Sequence, residues 1–574
     1  MSTLRRPALG PIVGHTTHRS CRLWIAAEVP LSEDSERRSL GVLGVVGASG
    51  KVRSSDIFYF RLRREYDRTG TFHLGVDVSL WQDETARGKL KPYLLEPATP
   101  YRVRLAVLNL DDAYPDDSNV SSEQIASKLP PPRVWTDKLN REPLEGIYAE
   151  AEFTTLPAPP ASGLPASVPL AFLFGSCRYP GLLWKRKEAD RIFGPMRKEA
   201  CADGTGRPPA QFTLMVGDQI YADMFNRHVP IGLADTYEEF QERYHTAFGS
   251  RNMRDFLCRV PTYMILDDHE IEDNWTQDRL HRSHKSRQLF NLAIGAYMSY
   301  QWSHGPRFAD SYVHGLPDGE SPHLRRMEAL HLYYDFAAAG YPFFVIDTRT
   351  QRYKQEHGLA DNHLLGKPSL DPSEPSQLDR LCAWLKHMQE QRGNTPKFIV
   401  SSSVFLPNGV DEREGRAQDA SDAWPAFPHT RRVLLRAMVE NQVQNVIFLS
   451  GDIHCSCVAR LEFEGAGAGL TAYSIVSSAF YWPFAFADGD PAGYVHDSRD
   501  ERTADPFLLG NGLGVLHYRA WGFTQDDNFT RIDLDPASAA MCAQRFDWDG
   551  VPIETRKQDG GFSRAAERLQ LVAW

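Results

Sequence analysis

No stretch of the 574 residues approaches the ~18 consecutive apolar residues that a transmembrane helix requires. No transmembrane segment is therefore expected. Arg5-Arg6 stands where a twin-arginine export signal could begin, yet the apolar segment that must come after it is missing. Cysteine is scarce, with eight residues at positions 21, 177, 201, 258, 382, 455, 457 and 542. That excludes a disulfide framework and suits a reducing compartment, so the two absences together predict a cytoplasmic protein. A surplus of positive charge is also lacking: 64 Lys and Arg against 74 Asp and Glu leave a net charge of −10. Such a surface cannot hold a polyanionic backbone, which excludes a nucleic-acid scaffold but not a local pocket for a small anion. Internal repeats and long low-complexity tracts are absent too. What remains is 42% hydrophobic and 24% charged residues, the balance of a globular chain long enough for more than one domain.

The chain has two grammars. Residues 1–155 read as short alternating strands separated by turns, for example Cys21-Arg-Leu-Trp-Ile-Ala, Phe58-Tyr-Phe-Arg-Leu and Tyr101-Arg-Val-Arg-Leu. No helical stripe is visible there, and the pattern predicts an antiparallel β-sandwich of the fibronectin or immunoglobulin kind. A proline-rich stretch over 156–168 reads as a stiff linker. From 169 to 574 apolar runs alternate with amphipathic stretches, which predicts an α/β core. The runs are Leu170–Phe174, Phe212–Val216, Tyr263–Leu266, Phe343–Ile346, Phe398–Val400 and Val446–Leu449. The clearest helix is 377–392, with Ser376 and Asp379 as a capping box and Gly393 as its stop. Residues 276–340, rich in His, Tyr and Trp, read as a helical insertion over a site.

The chemistry lies at the carboxyl end of each run. The first ends in Gly175-Ser-Cys177-Arg178 and the second in Gly217-Asp218-Gln-Ile-Tyr221-Ala-Asp223. The third ends in Asp267-Asp268-His269-Glu270 with Asn274 close behind, the fourth in Asp347-Thr-Arg349, and the sixth in Gly451-Asp452-Ile-His454. One Gly-Asp after a strand is ordinarily a turn. Metal-type ligands after so many strands are another matter, because open α/β sheets gather such ends on one rim. Carboxylates, imidazole, an amide, a phenol and a thiol together can hold two adjacent cations. Two such ions clamp a phosphoryl group and provide a hydroxide nucleophile, and a positioned histidine protonates the leaving oxygen. Metal-assisted phosphoester hydrolysis is the reaction class that uses this set.

These motifs, Gly175-Ser-Cys177, Gly217-Asp218-x-x-Tyr221, Asp267-Asp268-His269-Glu270 with Asn274, and Gly451-Asp452-x-His454, resemble the ordered motifs of PhoD-type alkaline phosphatases. That family lies within the calcineurin-like metallophosphoesterases. The resemblance runs over roughly residues 168–530 and implies a core of two packed β-sheets flanked by helices. It implies phosphomonoesterase and phosphodiesterase activity on small phosphoesters, with Fe(3+) and Ca(2+) as cofactors; Mn, Mg and Zn stay open. Carried over residue by residue, Asp218 bridges the metals, and Cys177, Tyr221 and His454 complete the iron side. Asp268, Asn274 and Asp452 serve calcium, with Asp267 open in place of Asp268. His269 contacts the phosphate and the leaving group, and Arg178 and Arg349 are candidates for phosphate contacts.

Other readings attach to the same residues. Cys177 by itself reads as a small buried hydrophobe and Tyr221 as a half-buried aromatic. Cys455 and Cys457 read as packing residues, and Phe480-Tyr-Trp-Pro-Phe as a pocket wall or as core. A phosphodiesterase specialised for lipid headgroups or nucleotides is one alternative function. A non-enzymatic binding protein with a structural metal site is another.

Overall fold

A computed structural model describes residues 3–28, 38–81, 91–110, 120–141, 147–180, 186–223, 233–306, 331–354, 359–369, 375–410, 421–484 and 491–574. It is a mixed α/β structure centred on two β-sheets packed face to face. The first has six strands in the order Thr262–Ile265, Phe212–Val216, Leu170–Gly175, Asn528–Asp535, Ala540–Asp547 and Glu567–Gln570. Its first three are mutually parallel and the rest antiparallel. The second sheet has eight strands and holds its own parallel set, Tyr341–Val345, Lys397–Ser401, Val446–Ser450 and Ala472–Val476.

All six apolar runs are strands, and each is buried along its whole length. Alternation sorts their side chains between two faces. Phe172, Phe174, Phe212 and Leu214 of the first sheet meet Phe343, Val345, Phe398 and Ile447 of the second in one apolar layer. Phe172 stands edge-on to Phe398 with ring centroids 5.5 Å apart. The opposite faces are covered by helices. Leu173 and Met215 pack beneath Phe193–Cys201, Tyr237–Phe248 and His284–Tyr300, and Phe344, Ile399 and Phe448 beneath Gln377–Arg392 and Pro428–Glu440. Strands covered on both faces read as continuous apolar runs, which is why the sequence revealed them.

The helix at Gln377–Arg392 has the expected bounds. Ser376 Oγ accepts from Asp379 N–H and the Asp379 carboxylate accepts from Ser376 N–H, while Gly393 comes next with φ +54°. The 276–340 segment is helical at Arg279–Arg282 and His284–Tyr300 and returns as a strand at Tyr334–Ala338. Its 307–330 portion lies outside the described residues.

Before residue 155 two antiparallel sheets face one another across a layer built from Val13, Leu23 and Phe72 on one side and Leu43, Phe58 and Val103 on the other. Two short helices that left no visible stripe in the sequence, Ser122–Ala126 and Arg133–Leu139, also lie there. These helices are short and present only Ile125, Trp135 and Leu139 to the core, too little apolar periodicity to recognise. Two further facts tie this part to the rest of the chain. Leu9, Ile12 and Trp24 belong to the helix-covered core of the six-stranded sheet, and Trp24 Nε1 donates to Ser299 O at 2.9 Å. Leu156 and Ala166, at either end of the proline-rich stretch, are buried in the layer between the large sheets.

Candidate metal centre

The carboxyl ends of the parallel strands of both sheets meet at one place. The loop after Leu170–Gly175 is tied to the loop after Phe212–Val216 by Cys177 N–H donating to Gly217 O (3.2 Å) and Arg178 N–H to Asp218 O (2.9 Å). The loop after Val446–Ser450 joins through Asp452 N–H, which donates to Ser176 Oγ at 3.3 Å. Two glycines permit this closeness. A Cβ on Gly451 would lie 2.2 Å from Ser176 Oγ, and one on Gly217, where φ is +94°, would lie 2.6 Å from Asp267 Cβ.

The backbone itself is unusual here. Cys177, Asp218, Asn274, Asp452 and His454 all adopt left-handed φ, at 57°, 56°, 55°, 74° and 51°. Five of the seven expected metal ligands thus occupy a region that side-chain-bearing residues seldom enter. Such strain concentrates where geometry serves chemistry.

Oxygen atoms of Asp218, Asp267, Asp268 and Asp452 lie within 4.8 Å of one another, and a second grouping joins Asp218 and Asp268 to a His269 nitrogen. Both members of the Asp267-Asp268 pair therefore enter the cluster. Asp268 accepts the N–H groups of His269 (3.0 Å) and Asn274 (2.7 Å). Cys177 Sγ is 3.3 Å from Asp218 Oδ2, and Tyr221 Oη is 3.5 Å from His454 Nε2. The oxygens Asp218 Oδ1 and Asp267 Oδ2 are buried with no hydrogen-bond partner. Orphaned carboxylate oxygens in a dry site are costly unless a cation takes them, so these residues fit a metal.

Charge states reflect this crowding. Burial, reinforced by Cys177 and Asp267, pushes Asp218 well above the usual carboxylate range, and burial with Asp267 does the same for Asp452. Asp268 is held below that range because Arg349 and His269 outweigh its burial. Burial pushes the Cys177 thiol up to about 12 and raises Tyr221, while burial and His269 lower His454 to about 3. His269 goes the other way. Against its burial, Asp223, Asp268 and Asp218 keep it protonated well above the ordinary histidine value. Its Nδ1 is 2.7 Å from Asp223 Oδ1, and its ring stacks on Tyr221 with centroids 4.3 Å apart.

The two candidate arginines sit in different surroundings. Arg178 is buried away from the cluster, where its Nη2 donates to Ser250 Oγ at 2.9 Å and its guanidinium lies over the Phe193 ring. Arg349 is 0% exposed and pairs with the carboxylates themselves. Nε donates to Asp267, Nη1 is 2.7 Å from Asp422 Oδ2, and Nη2 is 3.6 and 3.8 Å from Asp268 and Asp452. An arginine that opposes carboxylates so closely is a fixed countercharge to them.

Several contributors went unassigned in the sequence. Glu270 is fully buried and accepts N–H groups from Asp218 (3.2 Å), Gln219 (2.6 Å) and Asp267 (2.9 Å), so one carboxylate braces two loops. Gln301, at the end of the His284–Tyr300 helix, donates to it from behind at 3.1 Å. Asp422 shares Arg349 with the cluster, and Trp482 lies against His454. Glu270 stood within a recognised motif and Trp482 within the Phe480-Tyr-Trp-Pro-Phe stretch read as a pocket wall or as core, whereas Asp422 carries no local signal.

Residues 193–487, just over half the chain, match the family model described as PhoD-like phosphatase. The chain belongs to this family. The matched span holds every residue of the acidic cluster, while Cys177 and Arg178 lie before it. Alkaline phosphatase D of Bacillus subtilis (strain 168) is 23% identical over 236 residues, covering 40% of this chain and 37% of that relative's length. A solved structure of PhoD superposes with a TM-score of 0.55 and 15% identity, covering 98% of this chain and 89% of that one. At that identity the likeness is one of fold.

Proposed function

We propose that this protein is a metal-dependent phosphoester hydrolase acting on phosphomonoesters and phosphodiesters. The observation that carries the reading is the buried convergence of Asp218, Asp267, Asp268 and Asp452 from three strand ends, with two of their oxygens buried and unpartnered. Membership of the PhoD-like family supports it. In this reading Cys177, Asp218, Tyr221 and His454 hold one cation, whose softer donors suit Fe(3+). Asp218, Asp268, Asn274 and Asp452 hold a second, for which all-oxygen ligands suit Ca(2+); Mn, Mg or Zn would also fit the donor set. Bound cations there neutralise the phosphate and activate water for attack.

The remaining work falls to the chain. Asp223 fixes the His269 ring through Nδ1, leaving Nε2 as the proton donor to the departing oxygen as the P–O bond breaks. Arg349 neutralises Asp267 and Asp422 and keeps the carboxylates from repelling one another. The N-terminal sheets, which we delimit at residue 155 ahead of a 156–168 linker and a 169–574 catalytic domain, support the site through Trp24 and the His284–Tyr300 helix. All eight cysteines are unpaired, which supports a cytoplasmic location, and no helix among the described residues is long and apolar enough to cross a membrane.

The test is hydrolysis of bis-(p-nitrophenyl) phosphate and of p-nitrophenyl phosphate at alkaline pH, with calcium or with chelator. Activity lost on chelation is expected, and the ratio of diester to monoester rates ranks the two substrate classes. Metal-replete protein that turns over neither ester overturns the reading.

A further inference from the structure

The carboxylates are bordered on one side by rings, and the inference drawn from them rests on the hydrolase reading. The segment after Ala472–Val476 is fastened to the loop that carries Cys177. Phe480 N–H donates to Ser176 O (2.8 Å), Tyr481 N–H to Cys177 O (3.3 Å) and Tyr179 N–H to Tyr481 O (3.1 Å). The next residue is held as well, since Trp482 N–H donates to Asp527 Oδ1 at 2.8 Å. This fastening lays the Trp482 indole flat on the His454 imidazole, with centroids 3.6 Å apart and planes 10° from parallel. The rings continue outward. Phe484 meets Trp482 edge-on at 5.0 Å and Tyr179 at 5.0 Å, and Phe484 is 48% exposed.

A phosphate group calls for charge and hydrogen-bond donors, not rings. A lone surface phenylalanine would need no explanation. This one ends a run of rings that begins on a candidate metal ligand and is bonded, backbone to backbone, to the loop of another. Planar apolar surface is thereby held beside whatever is esterified to the phosphate. We propose that Trp482 and Phe484 form a stacking platform for a planar aromatic substituent of the phosphoester, so that the preferred substrates carry a ring, as a nucleotide or an aryl ester does. Stacking on such a surface tolerates different rings because every aromatic group has a π-face.

The test measures inhibition of bis-(p-nitrophenyl) phosphate hydrolysis by two phosphonates of equal size, 2-phenylethylphosphonate and 2-cyclohexylethylphosphonate. Both present the same anion, and only the first carries a planar ring. The wild-type enzyme is expected to bind the phenyl compound about fivefold more tightly, at the lower end of ring-stacking effects. Phe484→Ala and Phe484→Leu should abolish that preference, and Phe484→Trp should keep it. Equal inhibition constants for the two compounds in wild type, or an unchanged ratio in Phe484→Ala, overturn the platform while leaving the hydrolase intact. Absence of any turnover of the reporter ester by metal-loaded protein overturns the hydrolase reading and the platform with it.

Discussion

On one flank of Asp218 the neighbours are carboxylates: Asp267, Asp268 and Asp452 gather around the buried guanidinium of Arg349, which Asp422 holds from the far side. On the other flank they are neutral in the protein's own field: the Cys177 thiol, the Tyr221 phenol, the His454 imidazole and the indole that covers it. The first flank carries its countercharge within the fold, and in the proposed reading it takes the hard cation. The second presents protonated thiol and phenol groups, which in the proposed reading would ligate a metal only by releasing their protons. The two flanks of Asp218 therefore differ in how they meet the cost of charge.

The comparison breaks hardest at the residue both flanks share. Asp218→Ala removes a carboxylate that touches Cys177 Sγ and belongs to the acidic cluster. Activity on both nitrophenyl esters should fall by at least ~100-fold, because nucleophile generation depends on the intact cage. His454→Ala should fall as far. Near-normal rates in either variant would remove the site assignment.

Arg349→Met tests the charged flank. It leaves Asp267, Asp268 and Asp422 without their buried partner, and breaking such a pair costs about 3–5 kcal/mol. The metal-free variant should melt well below wild type in calorimetry, and added calcium should recover more of its stability than it adds to wild type. Equal calcium shifts in the two proteins would show that Arg349 does not oppose the cluster's charge.

Tyr221→Phe tests the neutral flank by a single oxygen. If Tyr221 ligates Fe(3+), the iron-loaded wild type is coloured by a phenolate charge-transfer band, and the variant loses that band. Protein that is fully active yet colourless and free of iron contradicts the iron assignment without touching hydrolysis.

How far these flanks could be read in the sequence depends on the distance over which each is assembled. The strands and the ligands directly after them were legible, since an apolar run and a Gly-Asp turn are local patterns, and the family motifs strengthened them. The helix at Gln377–Arg392 was legible down to its cap. Pairings across the chain were not. Arg349 was visible, yet its partners Asp267 and Asp422 lie 82 and 73 positions away in opposite directions, and it was expected to face phosphate. Arg178 likewise finds Ser250, 72 positions on. Glu270 reads as one more acidic residue until its three backbone donors are seen. Trp482 matters only because its segment is bonded to a loop some 300 residues earlier.

The subtlest difference between the flanks lies beneath the rings. Asp527, which holds Trp482 N–H, is pushed up to about 7 by burial, with Asp526 and Glu188 adding to the effect. Its ordinary value is 3.8. Between those two values the folded protein keeps a proton that the unfolded chain has released, so this site's stabilising contribution is intact at low pH and disappears as pH rises to 7. Asparagine has the neutral form's shape at every pH and escapes that loss. Asp527→Asn should therefore gain on wild type between pH 4.5 and pH 7.5, by about 1–2 °C in melting temperature for a chain of this size. A difference between the two proteins that stays constant over that range would mean that Asp527 titrates normally and that the aromatic flank rests on an ionised carboxylate.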